Sequence, residues 1–546
     1  MKVSLVQMNS TVGDLSGNFM KMSSFYSKAA TAGADIVVFP ELSITGYPPL
    51  DLLERKDFIE ASASKASDFA RLTKGNPACI FGFVFPNHST KGKRILNCAA
   101  FAAEGKIKKI VGKTLLPTYD IFDEARYFEP WSGDRIVTYM GKKIAITVCE
   151  DIWAGTSLLP HAELYEKNPL KDIIKKRPDL LINISASPFH KNKGMLRKKI
   201  LSSLARRYSL KTLYLNCVGA NDELIFDGGS FFISDKGKLL GQGEAFRETE
   251  LFFDTESELS SPEIPRDDLV DIKNAIVLGI KDYFSKQGFS KAVIGLSGGI
   301  DSAVVASLAV EALGAENVTG ILMPSQYTSI RSVRDALKLA KNLKIKTETK
   351  HIGRIYSAFI SELGLSGNKV DLAKQNLQSR IRGTILMAYS NSSGCLVLTT
   401  GNKSEISMGY CTLYGDTAGA IAPIGDLLKT EVYALAKVIN SSRDIIPRSI
   451  IVRPPTAELK PGQKDQDDLP PYSLLDRIIK AHVEDSLPFH QVASLASNKA
   501  LAESVVNRIE NNEYKRKQLP MCLKVSQKSF GSGRKMPVVK KYLFSK

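Results

Sequence analysis

The chain is short of several things, and each shortage removes a class of protein. Its seven cysteines (79, 98, 149, 217, 395, 411 and 522) are odd in number and form no CxxC pair. That argues against a disulfide framework or a zinc site and for a reducing cytoplasm, with most thiols acting as small core residues. No apolar run is long enough to cross a bilayer. The amino terminus, MKVSLVQMNS, reads as a short alternating strand and has no apolar signal core. Acid is also in deficit: 74 Lys+Arg face 57 Asp+Glu, a formal charge of +17. Such a surplus suits nucleic acid, an acidic membrane surface or phosphorylated small molecules. The basic residues are scattered apart from a denser stretch at Lys515–Lys546, so charge alone does not choose among these.

What is present is an ordinary globular composition, 43% hydrophobic and 24% charged, in 546 residues. That length exceeds one core and predicts about three domains, or two large ones. The segment TESELSSPEIPRDDL mixes Ser, Pro and charges without periodicity and reads as an exposed linker. It places a boundary near Ser261, giving domains 1–260 and 261–546.

The strongest local signal is Lys291–Ala303, KAVIGLSGGIDSA. Ala292, Val293, Ile294 and Leu296 read as a buried strand, Ser297-Gly298-Gly299 as a tight turn, and AVVASLAVEAL as a helix. This order aims backbone N–H groups and a positive helix end at an anion. Side chains at the glycines would hold the backbone away from a phosphate. Ser297 and Ser302 add hydroxyl donors, and Asp301 offers oxygen to a magnesium ion. A GxxxxGK[ST] loop is excluded, because no lysine is there to reach the β- and γ-phosphates.

In the first half, short apolar strands alternate with helical stretches, the pattern of an α/β layered domain. The strand Asp35–Phe39 ends at Pro40 and delivers Glu41, a second strand ends near Lys113, and a third, of alternating apolar residues, ends at Cys149. A carboxylate, an ammonium and a thiol at strand ends make an acyl-transfer set. The thiol is the nucleophile, the carboxylate exchanges its proton, and the ammonium stabilises the oxyanion.

In the second half, a strand is expected over Val318–Met323. A helix over Asp371–Tyr389 puts Asn376, Arg380 and Gly383 on about one face. CLVLTT then delivers Thr399, Thr400, Gly401, Asn402, Lys403, Ser404 and Glu405 at its end. This repeats the first loop's design, so the two are expected to share a crevice. RPPTAELKPGQKDQDDLPPY reads as a surface loop whose tail, LLDRIIKA, returns to the core.

PELSITGYPP, GKTLLPTYDIFDEARYF and GKKIAITVCEDIW resemble the three signatures of the nitrilase/carbon–nitrogen hydrolase superfamily. The resemblance implies an α-β-β-α sandwich with Glu41 as general base, Lys113 as oxyanion stabiliser and Cys149 as nucleophile. Glu124 matches the superfamily's second, structural glutamate. The glutamine amidohydrolases within it imply Tyr119, Ser187 and Lys193 as substrate contacts. SGGIDSA resembles the pyrophosphate loop of N-type ATP pyrophosphatases. Together with NLQSRIRG, TTGNKSE, LYGDTAGAIAPIGDLLKTEVY, PPTAEL, LPPYSLLD and EYKRKQ, it resembles the synthetase domain of the glutamine-dependent NAD+ synthetase family.

That resemblance implies a Rossmann-like, doubly wound parallel sheet. It implies ATP binding by Gly295, Leu296, Ser297, Gly298, Gly299, Ile300, Asp301, Ser302 and Thr400. It assigns deamido-NAD+ contacts to Asn376, Glu405 and Lys515, and Mg2+ ligation to Asp301, Glu405 and Thr456. The implied reaction converts deamido-NAD+, ATP and glutamine to NAD+, AMP, pyrophosphate and glutamate in a cytoplasmic homo-oligomer. Because free ammonia is mostly protonated at neutral pH and would escape, a tunnel between the halves is expected. No nucleic acid or membrane partner is then required. Two rivals stand beside this reading. One is a tRNA-modifying pyrophosphatase whose basic tail would hold RNA; the other is a scaffold with decayed sites, against which the intact residues argue.

Overall fold

The first strand, β1 (Lys2–Gln7), is buried continuously from Val3 to Gln7, not on alternate residues. The alternation expected there, and along the strand leading to Cys149, fails for one reason. Each sheet is covered on both faces, and a strand buried on both sides has no polar face to show.

The computed structural model describes residues 1–542 apart from 155, 157–164, 259–261, 366, 368–369 and 497. It divides into two units, Met1–Arg266 and Asp267–Lys546. Ser261, where a boundary is expected from sequence, lies outside the described residues.

In the first unit, β1 is followed by α1 (Leu15–Thr31), β2 (Ile36–Val38), α2 (Lys56–Arg71), β3 (Ala78–Pro86), β4 (Ile95–Ala103) and β5 (Lys106–Gly112). Next come β6 (Ile136–Tyr139), β7 (Lys142–Val148), α3 (Pro169–Lys175), β8 (Leu180–Ser185), α4 (Lys193–Tyr208) and β9 (Lys211–Asn216). A hairpin, β10 (Val218–Asn221) and β11 (Leu224–Asp227), precedes β12 (Phe231–Ile233), β13 (Leu239–Gln242) and β14 (Thr249–Asp254). One sheet has the order β14-β1-β2-β3-β4-β5, the other β13-β12-β9-β8-β7-β6. Their inner faces share one core: Val3, Leu5, Ile36 and Val38 meet Ile144, Ile146, Ile182 and Leu213. On the outer side of the first sheet, Met22 and Tyr26 of α1 and Phe69 of α2 pack on Phe39 and Phe81. On the outer side of the second, Ile173 of α3 and Leu201 of α4 cover Leu181 and Tyr214. The unit is the α-β-β-α sandwich.

The second unit begins with α5 (Asp268–Lys286), whose cap residue Asp267 accepts from the N–H groups of Leu269 and Val270. Then follow β15 (Ala292–Gly295), α6 (Ile300–Leu313), β16 (Val318–Leu322), α7 (Ile330–Leu343), β17 (Lys346–Thr349), α8 (Gly353–Glu362) and α9 (Leu372–Ser393). The strand β18 (Leu396–Val397) leads to α10 (Lys403–Met408), β19 (Ile421–Ala422) and α11 (Lys429–Ile439). The sheet is parallel, ordered β17-β16-β15-β18. The chain reverses direction across the sheet between β15 and β18, where doubly wound folds leave a crevice beyond the strand ends. Val293, Ile321 and Val397 pack with Tyr356 of α8 and Ile381 of α9 on one face.

The basic carboxy-terminal stretch is tied into this unit. Arg534 and Lys540 pair with Glu510, Arg534 also pairs with Glu513, and Lys524 is buried. No helix of the described residues is long and apolar enough to cross a membrane.

Candidate active sites

In the first unit, Glu41 follows β2, Lys113 follows β5 and Cys149 follows β7, each at the carboxyl end of its strand. The turn carrying Glu41 lies flat against β3 because residue 82 is glycine. A Cβ there would sit 2.2 Å from the Leu42 nitrogen and 2.5 Å from the Pro40 oxygen. The resulting Gly82 N–H bond to the Pro40 carbonyl (3.1 Å) fixes that turn.

Glu41 and Lys113 are each 1% exposed. Glu41 Oε1 accepts from Lys113 Nζ (2.9 Å) and Asn97 Nδ2 (2.7 Å), and Oε2 accepts from the Ala186 N–H (2.7 Å). Lys113 Nζ also donates to Glu124 Oε1 (2.7 Å), which receives the Tyr47 hydroxyl at 2.8 Å. Burial pushes the Glu124 carboxyl up to about 7, against the pull of Lys113. Burial likewise lifts the Cys149 thiol well above its ordinary value; Glu41 adds to the rise and Lys113 opposes it. The resting group is therefore a thiol that needs a base.

Cys149 sits at φ +44°, a left-handed conformation that non-glycine residues hold only when their surroundings impose it. Asn183 Nδ2 donates to its carbonyl at 3.3 Å. Asp151 ties the lysine and thiol loops together, accepting from the N–H groups of Thr114 (2.9 Å) and Leu115 (3.0 Å) and from Arg135 Nη1 (2.9 Å). Beside the thiol, Glu150 is buried and raised by that burial, and it receives hydroxyls from Tyr119 (3.0 Å) and Tyr165 (2.9 Å). Lys193, half-buried at the start of α4, acts on Glu150 electrostatically. Ser187 is buried after β8, with its N–H bonded to Asn216 Oδ1 at 2.8 Å.

In the second unit, a cavity of about 590 Å³ opens at the ends of β15, β16 and β18. Gly295, Leu296, Ser297, Gly298, Gly299, Ile300, Asp301 and Thr400 line it, as do Asn376, Glu405, Thr456 and Lys515. Ser302 is buried behind the loop, 3.1 Å from Ser297 Oγ and bonded to the Gly299 carbonyl. Gly298 has φ +77°, and a Cβ there would lie 2.3 Å from the Ser332 carbonyl, so the loop closes onto α7 only with glycine.

The two strand-end loops meet directly. Asn402, the cap of α10, donates through Nδ2 to Asp301 Oδ1 at 2.9 Å. Lys429, at the start of α11, places Nζ 2.6 Å from Asp301 Oδ2 and 3.1 Å from Glu405 Oε1. Burial, then repulsion from Asp301 and Asp465, pushes Glu405 up to about 8, although Lys429 pulls the other way.

Lys515 Nζ reaches the Gly409 and Cys411 carbonyls at 2.7 and 2.9 Å, and Asn376 Oδ1 accepts from the Thr412 hydroxyl at 2.8 Å. On α9 it is Arg382, not Arg380, that lines the cavity; burial pushes its guanidinium down to about 10. The PPTAEL stretch, read from sequence as surface loop, forms a wall of the cavity, strapped to α7 by Arg453, Glu458 and Ser332.

Asp301 and Glu405 face one cavity with hard oxygen donors. This suits Mg2+, which takes one or two carboxylates and completes its shell with phosphate oxygens and water. Among the described residues no group of three or more His, Cys, Asp or Glu converges to hold a metal unaided. The Thr456 hydroxyl is already engaged, donating to the Gln463 carbonyl (2.5 Å) and accepting from the Glu458 N–H (3.2 Å).

Sequence reading missed Asn97, Glu150 and Tyr165 around the thiol, and Lys429, Arg382 and Asp465 in the cavity. Of these, Glu150 had a signal, since it directly follows the nucleophile candidate.

Residues 2–274 match the carbon-nitrogen hydrolase family and residues 272–519 the NAD synthase family. The chain is 42% identical over 551 residues to a glutamine-dependent NAD(+) synthetase from Synechocystis sp., with 99% of each chain covered. It is 39% identical over 588 residues to the enzyme of that name from Thermotoga maritima, again with 99% coverage of both. Among solved structures it resembles glutamine-dependent NAD+ synthetase from Acinetobacter baumannii in complex with ADP. That match has a TM-score of 0.78, 35% identity and 98% coverage of each chain. With a thiol–carboxylate–lysine site in one unit and a glycine-loop cavity in the other, the chain belongs to the glutamine-dependent NAD+ synthetase family.

Proposed function

We propose that the protein amidates deamido-NAD+ to NAD+, using ATP and the amide nitrogen of glutamine. The single observation that carries this is the coexistence, in one chain of that family, of the buried Glu41–Lys113–Cys149 set and the strand-end cavity around Asp301 and Lys429.

In the first unit, residues 1–260 in the sequence reading, Cys149 Sγ attacks the glutamine carboxamide carbon. Glu41 takes the thiol proton and delivers it to the departing nitrogen, which leaves as ammonia. Lys113 and a backbone N–H beside the thiol stabilise the oxyanion. Water then cleaves the thioester, releasing glutamate and restoring the thiol. Glu150 suits the α-ammonium group of glutamine, with Tyr119, Ser187 and Lys193 around its amino-acid end.

In the second unit, residues 261–546 in that reading, Gly295–Ser302 and Thr400 hold ATP, while Asn376, Glu405 and Lys515 contact deamido-NAD+. The nicotinate carboxylate attacks the α-phosphorus, pyrophosphate leaves, and ammonia displaces AMP from the adenylate. Asp301 and Glu405 would hold Mg2+, which would supply charge neutralisation on the phosphates; Thr456, whose hydroxyl is bonded to Gln463 and Glu458, would be a third, weaker ligand. Location in the cytoplasm and assembly into a homo-oligomer belong to the same proposal. A tRNA-modifying role is disfavoured, since Arg534 and Lys540 of the basic tail are paired with Glu510 and Glu513.

The test is NAD+ formation from deamido-NAD+ with glutamine or with ammonium. Cys149→Ala is expected to abolish the first and keep the second. Loss of both in a folded variant contradicts the two-site assignment.

A further inference from the structure

Asn97 stands on β4 between the two residues that handle charge in the first unit, and it holds both. Its backbone carbonyl accepts from the Lys113 N–H at 2.8 Å. Its side-chain Nδ2 donates to Glu41 Oε1 at 2.7 Å, the oxygen that also receives Lys113 Nζ. The orientation of the amide is dictated by chemistry: turned over, it would set oxygen against a carboxylate oxygen. In the orientation adopted, Asn97 Oδ1 is buried with no hydrogen-bond partner. A buried acceptor left unpaired is costly. What the asparagine contributes here is its donor side, and a leucine of similar volume would fill the space without the orphan.

We infer that Asn97 is a positioning residue for the general base, holding the Glu41 carboxylate in the plane from which it reaches the Cys149 thiol and keeping it ready to accept a proton. This rests on the assignment of Glu41 and Cys149 under the proposed function. A donor to the charged form favours that form, so its removal makes Glu41 easier to protonate. Glu41 is otherwise surrounded by Lys113 and the Ala186 N–H, and the further titratable groups facing the set are Glu124, Tyr47 and Cys149. None of these contacts is made by Asn97 Nδ2 itself.

The experiment is the pH profile of glutamine hydrolysis by the full chain carrying Asn97→Leu or Asn97→Asp, beside Cys149→Ala. Asn97→Leu is expected to lower kcat by about ten- to a hundredfold with little change in KM, and to move the acid limb to higher pH. Asn97→Asp, which sets a carboxyl against Glu41, should move that limb further. Circular dichroism and the thermal midpoint of the full chain report that each variant is folded. Variants with wild-type kcat and an unmoved acid limb overturn the inference, and so does a loss of kcat with the limb unmoved. If Cys149→Ala retains glutamine hydrolysis, it is the underlying assignment that fails.

Discussion

The two sites handle buried charge in opposite ways. In the first unit Glu41, Lys113 and Glu124 form a buried chain of contacts, with Lys113 Nζ between the two carboxylates. In the second, Lys429 bridges Asp301 and Glu405 at the wall of a cavity of about 590 Å³. Under the proposed function, the difference follows from what each site must accept. An amide is small and neutral, so its site can be set permanently, and low polarity strengthens every contact within it. Two polyanions bring their own charge, so their site needs space and carboxylates whose repulsion is held in check until they arrive.

This contrast makes the consequences of substitution separable. The largest effect is expected for Lys429→Met. It removes the ammonium that Asp301 and Glu405, both partly exposed to the cavity, share, at about 3 kcal/mol, and should lower glutamine-driven and ammonium-driven NAD+ formation alike by about two to three powers of ten. Glutamate release should persist. Parallel loss of glutamate release would show that the two kinds of site are not independent.

A middle effect is expected for Gly298→Ala, which meets both an unfavourable φ and the Ser332 carbonyl. At about 1–3 kcal/mol, it should raise the KM for ATP and lower the thermal midpoint, leaving glutamine hydrolysis alone.

A third effect concerns pH. Because burial lifts Glu405 from 4.5 to about 8, folding favours its protonated form. The stability from this group is complete below about 4.5 and is lost as pH rises through about 8. Thermal midpoints measured without ATP should therefore decline across that window, and Glu405→Gln should flatten the decline.

Much of this was legible in the chain itself. Pro40 stops a strand and hands over Glu41, and the run into Cys149 ends where its apolar residues end. S-G-G-x-D-S announces a backbone shaped for an anion. What stayed hidden were residues whose local setting is ordinary. Asn97 sits in RILNCAAF, an apolar strand, and its partner Glu41 is 56 positions away. Lys429 opens a helix in LLKTEV and meets Asp301 only across 128 positions. Strand alternation misled for a related reason, since periodicity reports one covered face and both sheets' central strands are covered on two. PPTAEL read as surface because proline and length imply exposure, whereas Arg453 and Glu458 fasten it over the cavity.

The pairing of Arg534 and Lys540 with Glu510 and Glu513 bears on how the +17 surplus is to be understood. A formal sum treats every cation as if it looked outward. Here several cations of the densest stretch, Arg516, Arg534 and Lys540, are held in internal ion pairs that fasten that stretch to Glu510 and Glu513. The attraction an approaching nucleotide feels is set by the few cations that border the crevice, and the bulk tally is a poor guide to it.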